Sequence, residues 1–597
     1  MRRVVTFVVG GLSMMVLGCS SNHGQADLVV IGALRTMDPS APVAEAMAIG
    51  GGKILFVGGA QQARALLGGN GRTIALAPGR MVMPGIVDSH VHMLDAGILE
   101  LRCAVDNPKT TEDLFAAIAA CAAADPDLEW VLGSGWPLSL FDERGPRKEE
   151  LDALIPGRPA VFHGEDGHSA WLNSAALRAA DIDCETEDPL LGRIERDPVT
   201  NEPSGTLRET AVDLVEAHIP PPEPSTYRDG LEIGQRLLHS FGITLIQDAN
   251  VSPRLLEAYS DAARSGALTM KVVAAQATDP RKPASQVDEL VALRDRFTYG
   301  RLSASSAKIF LDGVLEARTA ALLEPYDGSE AGGDDRGFTN WSAEGLTEIA
   351  TRLDAAGFQI HMHGIGDCAI REGLDALAAV RAANGASDLR HQMAHLELVD
   401  PADIPRFAEL GVFANFQPFW MFPDVSFEDV EHLLGPERTG RLYSIRSFEE
   451  AGARIVAGSD WPVSSPNPFL AIEVGITRRD PADPSGPVWN PGQRVSLDTL
   501  LAAYTIQGAT VNHREDETGS LEVGKAADFV ILDRNLFEVS PDQIGETRVL
   551  ATFVDGVQVY ASSADAAAAA RGPLARQSFH PLAEGSSCAK HLHRAPA

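Results

Sequence analysis

Met83-Pro84-Gly85-Ile86-Val87-Asp88-Ser89-His90-Val91-His92 reads as an apolar strand that ends in His-x-His. Side chains two apart on a strand share a face, so both imidazoles can reach one point. Downstream, between about Met83 and His513, apolar strand-like runs alternate with helical patterns. The runs are 242–246, 268–273, 307–311, 358–363, 411–415 and 453–457. Strand–helix alternation of this count predicts an α/β fold, a (β/α)8 TIM-like barrel with parallel strands. The segment exceeds a minimal barrel, and the surplus, about 95–224, is expected as a large insertion after the first barrel strand, with helices and turns of its own.

Outside the barrel, residues 27–57 hold short β-rich runs broken by Gly and Pro, and the same texture returns at 524–533 and 549–559. This predicts a small β-sandwich domain built from both chain ends, with the barrel inserted into it. The expected division is 27–82 and 514–560 for the small domain, 83–513 for the barrel, and 561–597 for a disordered tail rich in alanine and polar residues.

The first residues carry a different signal. Arg2 and Arg3 precede an apolar stretch from Val4 to Leu17, which gives way to Gly18-Cys19 and polar Ser20-Ser21-Asn22. Fourteen apolar residues are short for a membrane span, about twenty being needed, and fit a signal peptide over 1–18. The stretch before Cys19 resembles a bacterial lipobox, which implies cleavage there, lipidation of Cys19 and a lipidated spacer over 19–26. Several acyl chains make a stable anchor. Ser20 in place of Asp resembles the outer-membrane sorting signal, so the expected location is the bacterial cell envelope, exported and facing the periplasm.

The 597 residues include 50 Lys plus Arg and 82 Asp plus Glu, a net charge of −32. Such a balance repels nucleic acid and anionic headgroups, leaving the lipid anchor as the expected membrane contact. A homodimer is left open. Of six cysteines, five remain beyond Cys19: Cys103, Cys121, Cys184, Cys368 and Cys588. Export allows pairing, and Cys103 and Cys121, flanking a helix-like segment, are the expected disulfide. No C-x-x-C or Cys/His cluster suggests a cysteine-based metal site.

More candidate ligands end later strands: Lys308, His363, His395 and Asp460. A barrel gathers strand C-termini around one mouth, so these residues and His90 and His92 converge there. With these residues in place, the chain resembles the amidohydrolase superfamily, specifically amidohydrolase family 3 with its N-substituted formamide deformylase-like enzymes. The resemblance runs from about Asp27 to Tyr560. It rests on His90-x-His92 after Met83-Pro84-Gly85, Gly133-Ser134-Gly135-Trp136 and 166–174. It continues through 205–209, 308–313, 363–367, Gly458-Ser459-Asp460-Trp461-Pro462-Val463 and 519–528.

The resemblance implies a centre of one or two divalent ions, usually Zn2+, held by His90, His92, His363, His395 and Asp460, with Lys308 carboxylated as a bridge. Neutral imidazole and carboxylate suit Zn2+, whereas an ammonium cannot ligate, so Lys308 would have to lose its proton and react with CO2. The expected reaction is hydrolysis of a C–N bond in an amide, N-formyl or cyclic-amide small molecule by a metal-activated hydroxide, with Asp460 as general base and then acid. Trp136, Asp166, His168, Asp312, Arg318 and Gln417 lie in family-like stretches and are candidate substrate contacts. His361, two residues before His363, reads as structural. Relatives often carry an acidic residue before the histidine matched by His395; here it is Ala394. Two other readings are a one-metal deaminase of the same superfamily and a non-catalytic envelope binding lipoprotein. No G-x-S-x-G elbow supports a serine hydrolase.

Overall fold

Parallel strands are covered on both faces, and eight strands buried along most of their length form the centre of the computed structural model of this chain. The structure describes residues 25–562, apart from 106–107, 125, 127, 328–333 and 424–426 and the side chains of 427–429. The expected leader, Cys19 and its spacer up to residue 24, the tail from 563 and Cys588 lie outside the described residues.

The barrel strands are β1 (Ile86–Val91), β2 (Ile243–Val251), β3 (Lys271–Ala277), β4 (Leu302–Phe310), β5 (Gln359–Gly364), β6 (Gln392–His395), β7 (Phe413–Phe416) and β8 (Arg454–Ala457). Each pairs in parallel with the next. Helices pack around them, several capped by a residue the sequence supplies at the start. Ser342 accepts the N–H of Gly345 before Ala343–Ala355, and Asn467 accepts that of Phe469 before Pro468–Thr477.

Closure of β8 on β1 is made just beyond the strand ends. Asp460 donates its N–H to the His90 carbonyl at 2.8 Å, and His92 donates to the Trp461 carbonyl at 2.9 Å. Gly458 makes this approach feasible, because a Cβ there would stand 2.5 Å from the His90 nitrogen.

The small domain is one connected sheet of eight strands drawn from both ends. Val557–Ala561, Val549–Val554 and Phe529–Leu532 lead into Met81–Pro84, then Ala26–Arg35, Val43–Gly50 and Lys53–Gly58. Leu28, Met47 and Ile54 of the N-terminal strands share an apolar cluster with Phe529 and Phe553, which stack at 4.3 Å, so the two arms form a sandwich core. Met83 and Pro84 pair with Val530 and Phe529, which puts the crossover into the barrel at Gly85, two residues later than the sequence suggests. The apolar run continues unbroken through the junction, so composition gives no sign of it.

The insertion holds a third, six-stranded sheet that sequence reading does not anticipate. Several of its strands, such as Cys103–Ala104 and Ser169–Leu172, are too short for a period-2 pattern to show. Trp136, Phe162 and Trp171 fill its core, and a disulfide joins Cys103 to Cys121, tying its edge strand to helix Thr111–Ala124. No helix among the described residues is long and apolar enough to cross a membrane.

Under the barrel, β3 begins with Lys271, only 1% exposed, whose Nζ donates to Asp528 at 2.6 Å and Asp555 at 3.1 Å. Asp528 and Asp555 belong to the C-terminal part of the small domain, so this ion pair bolts the two units together. Removing Asp528 leaves the buried Lys271 with only the partly exposed Asp555 and Glu517 as counter-charges. Asp528→Leu should lower stability by about 3–5 kcal/mol, while Lys271→Met with Asp528→Leu should recover most of that loss. Urea unfolding of the two variants checks the difference; equal losses would contradict a buried pair.

Candidate metal centre

Strand geometry places His90 and His92 at the C-terminal end of β1, Lys308 near the end of β4, His363 near the end of β5, His395 at the end of β6 and Asp460 three residues beyond β8. Ligand atoms of His90, His395 and Asp460 lie within 4.8 Å of one another. Asp460 Oδ1 is 3.1 Å from His92 Nε2 and 3.5 Å from His90 Nε2, and Lys308 Nζ is 3.4 Å from His90 Nε2. The His363 ring packs 4.5 Å from that of His395. Six side chains from five strand ends therefore gather around one point.

Burial sets their charge. It holds His90, His363 and His395 well below the ordinary imidazole value, helped by the Lys308 charge at His90 and His395 and by the neighbouring His395 at His363. Burial also brings the Lys308 amine down to about 7, against the opposing pull of Asp460 and Asp248. His92 moves the other way: burial lowers it, but the hydrogen bond and charge of Asp460 prevail and raise it.

These residues fit a divalent ion on three counts. Neutral imidazoles and a carboxylate are the donor set Zn2+ takes. The buried Asp460 carboxylate is ringed by imidazole nitrogens, His92 Nε2 at 3.1 Å, His90 Nε2 at 3.5 Å and His395 Nδ1 at 3.8 Å, a clustering of donors that an ion would satisfy. His395 and Asp460 both hold positive φ, 78° and 57°, a conformation that costs energy in non-glycine residues and gathers at functional sites.

The surrounding residues are less evenly legible. Asp88 accepts from Ser459 Oγ at 2.6 Å and from the N–H groups of Ser459 and His90, tying β1 to the Asp460 loop; burial lifts its carboxyl to about 7. His361, read as structural, lies with Nε2 2.9 Å from His90 Nδ1, so it braces a candidate ligand. Glu209 has no individual role in the sequence reading. It contacts His168 Nδ1 at 2.8 Å and accepts from Thr319 Oγ1 at 2.7 Å. An acidic residue closing the run 205–209 was the available signal. Burial opposes charge on His168, yet Glu209 carries its imidazole up to about 9.

His168 reaches the rim from the insertion, its ring 5.2 Å from that of His363. The other expected substrate contacts are engaged within the protein. Trp136 is fully buried in the insertion core and donates Nε1–H to the Phe162 carbonyl, because its strand faces inward there. Asp166 accepts from Ser169 Oγ and the N–H groups of His168 and Ser169, shaping the loop that carries His168. Asp312 accepts three backbone N–H groups, from Ala321, Ile365 and Gly366. Arg318 pairs with Asp335 at 2.9 Å. Gln417, 1% exposed, points its Oε1 at His395 Nδ1, 3.0 Å away.

A barrel with such a donor cluster at the C-terminal rim is the architecture of an enzyme whose site lies at strand ends. Over residues 75–560 the chain matches the amidohydrolase family, and it belongs to that family. It is 29% identical to Protein LONG AFTER FAR-RED 3 of Arabidopsis thaliana, the match covering 90% of this chain and 92% of the relative. It is 28% identical to the N-substituted formamide deformylase of Arthrobacter pascens, covering 89% and 98% of the two chains. Among solved structures, an uncharacterized metal-dependent hydrolase from Pyrococcus furiosus superposes with a TM-score of 0.66 at 25% identity, over 85% of this chain and 99% of that one.

Gly313 marks where the insertion docks on the barrel: a Cβ there would stand 2.2 Å from both Glu209 Oε1 and Thr319 Oγ1. Gly313→Ala should therefore displace Glu209 and cost about 1–3 kcal/mol. Chemical denaturation reads this, and an unchanged midpoint would remove Glu209 from its assigned place.

Proposed function

We propose that this hydrolase cleaves a C–N bond in a small amide, N-formyl or cyclic-amide substrate, using zinc held by His90, His92, His363, His395 and Asp460. The observation that carries this reading is the buried Asp460 carboxylate set among His90 and His92 of one strand end and His395 of another. The relatedness to a formamide deformylase and to a metal-dependent hydrolase supports it.

When bound, zinc supplies water activation at neutral pH and polarisation of the substrate carbonyl. Lys308, with its amine brought to about 7, has a neutral fraction near pH 7 that can form an N–C bond with CO2 and release a proton, and the resulting carbamate oxygens would add to the donors that hold the metal. Asp460 takes the proton of the attacking water at Oδ1, the oxygen beside His92 and His90. As the C–N bond breaks, Asp460 passes that proton to the leaving nitrogen, so the products are a carboxylic acid and an amine. His168, held by Glu209, lines the rim on the insertion side.

The same proposal extends to location. Arg2-Arg3, the apolar stretch to Leu17 and Cys19 support export and a lipid anchor in the bacterial envelope, and the Cys103–Cys121 disulfide is at home in an oxidising compartment. Cys19→Ser should move the protein from membrane to soluble fractions on fractionation; continued membrane retention would refute the anchor.

For the chemistry, Asp460→Asn should lower kcat on a panel of N-formyl, N-acyl and cyclic amides by at least about 100-fold while much of the zinc is retained. Steady-state kinetics with elemental analysis tests it, and wild-type turnover in that variant would refute the role of Asp460.

A further inference from the structure

A line of buried amides runs up the inside of the barrel. Gln247 of β2, Gln359 of β5, Gln392 of β6, Asn415 of β7 and Gln417 just beyond it are each at most 4% exposed. At the floor, Gln359 Nε2 donates to the carbonyls of Val511 at 2.5 Å and Arg390 at 3.0 Å. Gln247 donates to Gln359 Oε1 at 2.7 Å, and Gln392 donates to Gln247 Oε1. Asn415 Nδ2 donates to Gln392 Oε1 at 2.8 Å and to the Ser89 carbonyl at 2.9 Å. Gln417 Nε2 faces Asn415 Oδ1 at 3.4 Å, and Gln417 Oε1 meets His395 Nδ1 at 3.0 Å.

The direction of this chain is not a free choice. Backbone carbonyls only accept, so Val511 and Arg390 compel Gln359 to turn its NH2 downward and its oxygen upward. Ser89 independently compels Asn415 to present its NH2 to β1, which leaves Oδ1 for Gln417. Each amide thereby inherits its orientation from the one below, and Gln417 can offer His395 only an oxygen. A neutral imidazole whose Nδ1 donates keeps its lone pair on Nε2.

We propose that Gln417 is a positioning residue for His395. Its Oε1 fixes the Nδ1–H tautomer and so leaves the Nε2 lone pair as the one free to meet an ion, with the polarity set by carbonyls at the barrel floor and on β1. This rests on the reading of His395 as a metal ligand. Gln417 then acts on metal affinity through His395 and makes no contact with substrate. Partners that orient a ligating imidazole in this way govern about 10–100-fold in affinity.

The test titrates the full chain, stripped of metal, with Co2+ and follows its visible absorption. Gln417→Met, similar in size and without an acceptor, should weaken Co2+ binding by about 10–100-fold and alter the absorption bands, with the melting temperature of the metal-free protein unchanged. Gln417→Glu keeps an oxygen facing His395 and should stay within about threefold of wild type. Gln417→Met binding Co2+ as tightly as wild type, or Gln417→Glu failing as badly as Gln417→Met, overturns the proposal. Should Gln417→Met fail to fold, Gln417→Ser, too short to reach His395, replaces it with the same expectations. A wild-type chain that binds no Co2+ overturns the metal reading and this proposal together, whereas tight wild-type binding with an indifferent Gln417→Met sinks the proposal alone.

Discussion

The hydrogen bond from the Asp460 N–H to the His90 carbonyl closes the barrel and builds the candidate site in one contact. Because β8 meets β1 at this point, Asp460 is carried to within 3.5 Å of His90 and His92 without a long loop to position it. The Asp88 carboxylate reinforces the seam by gripping Ser459, so tolerance for displacement at this edge is low. Rigidity of this kind holds a cluster of donors together against their mutual crowding.

Electrostatics explains why the cluster is neutral in large part. Removing several imidazoles and an ammonium from water would be prohibitive if all were charged, and burial accordingly lowers His90, His363, His395 and Lys308 together. His92, raised by Asp460, and His168, paired with the Glu209 carboxylate, are the exceptions. The mouth therefore holds a cluster of lowered groups on the barrel, with His92 beside Asp460, and a charged dyad supplied by the insertion, anchored where Gly313 leaves room for it.

Much of this was legible from residue order. Parallel strands buried on both faces leave long apolar runs, and a strand-end His-x-His, Lys308, His363, His395 and Asp460 stand out against them. The small domain was visible too, because its strands share a texture at both ends of the chain. What stayed hidden depends on direction and partnership. Trp136 and Gln417 looked like rim residues, yet one faces the insertion core and the other faces His395, and which way a side chain at a strand end points is settled by packing from distant segments. The crossover at Gly85 was concealed by an unbroken apolar run, and two strands of the sheet within the insertion, of two and four residues, were too short to show a pattern.

The bolt beneath the barrel also has a temporal side. Lys271 finds its counter-charge 257 positions later, at Asp528. A chain that emerges N-terminus first therefore presents most of its barrel strands before the lysine at the floor can be neutralised, and strand Met81–Pro84 of the small sheet waits longer still for its C-terminal neighbour Phe529–Leu532. Native assembly is in this sense a late event, completed only as the last few dozen described residues arrive, and any partly synthesised chain carries an open floor and an unpaired sheet edge for factors that guard nascent proteins to cover.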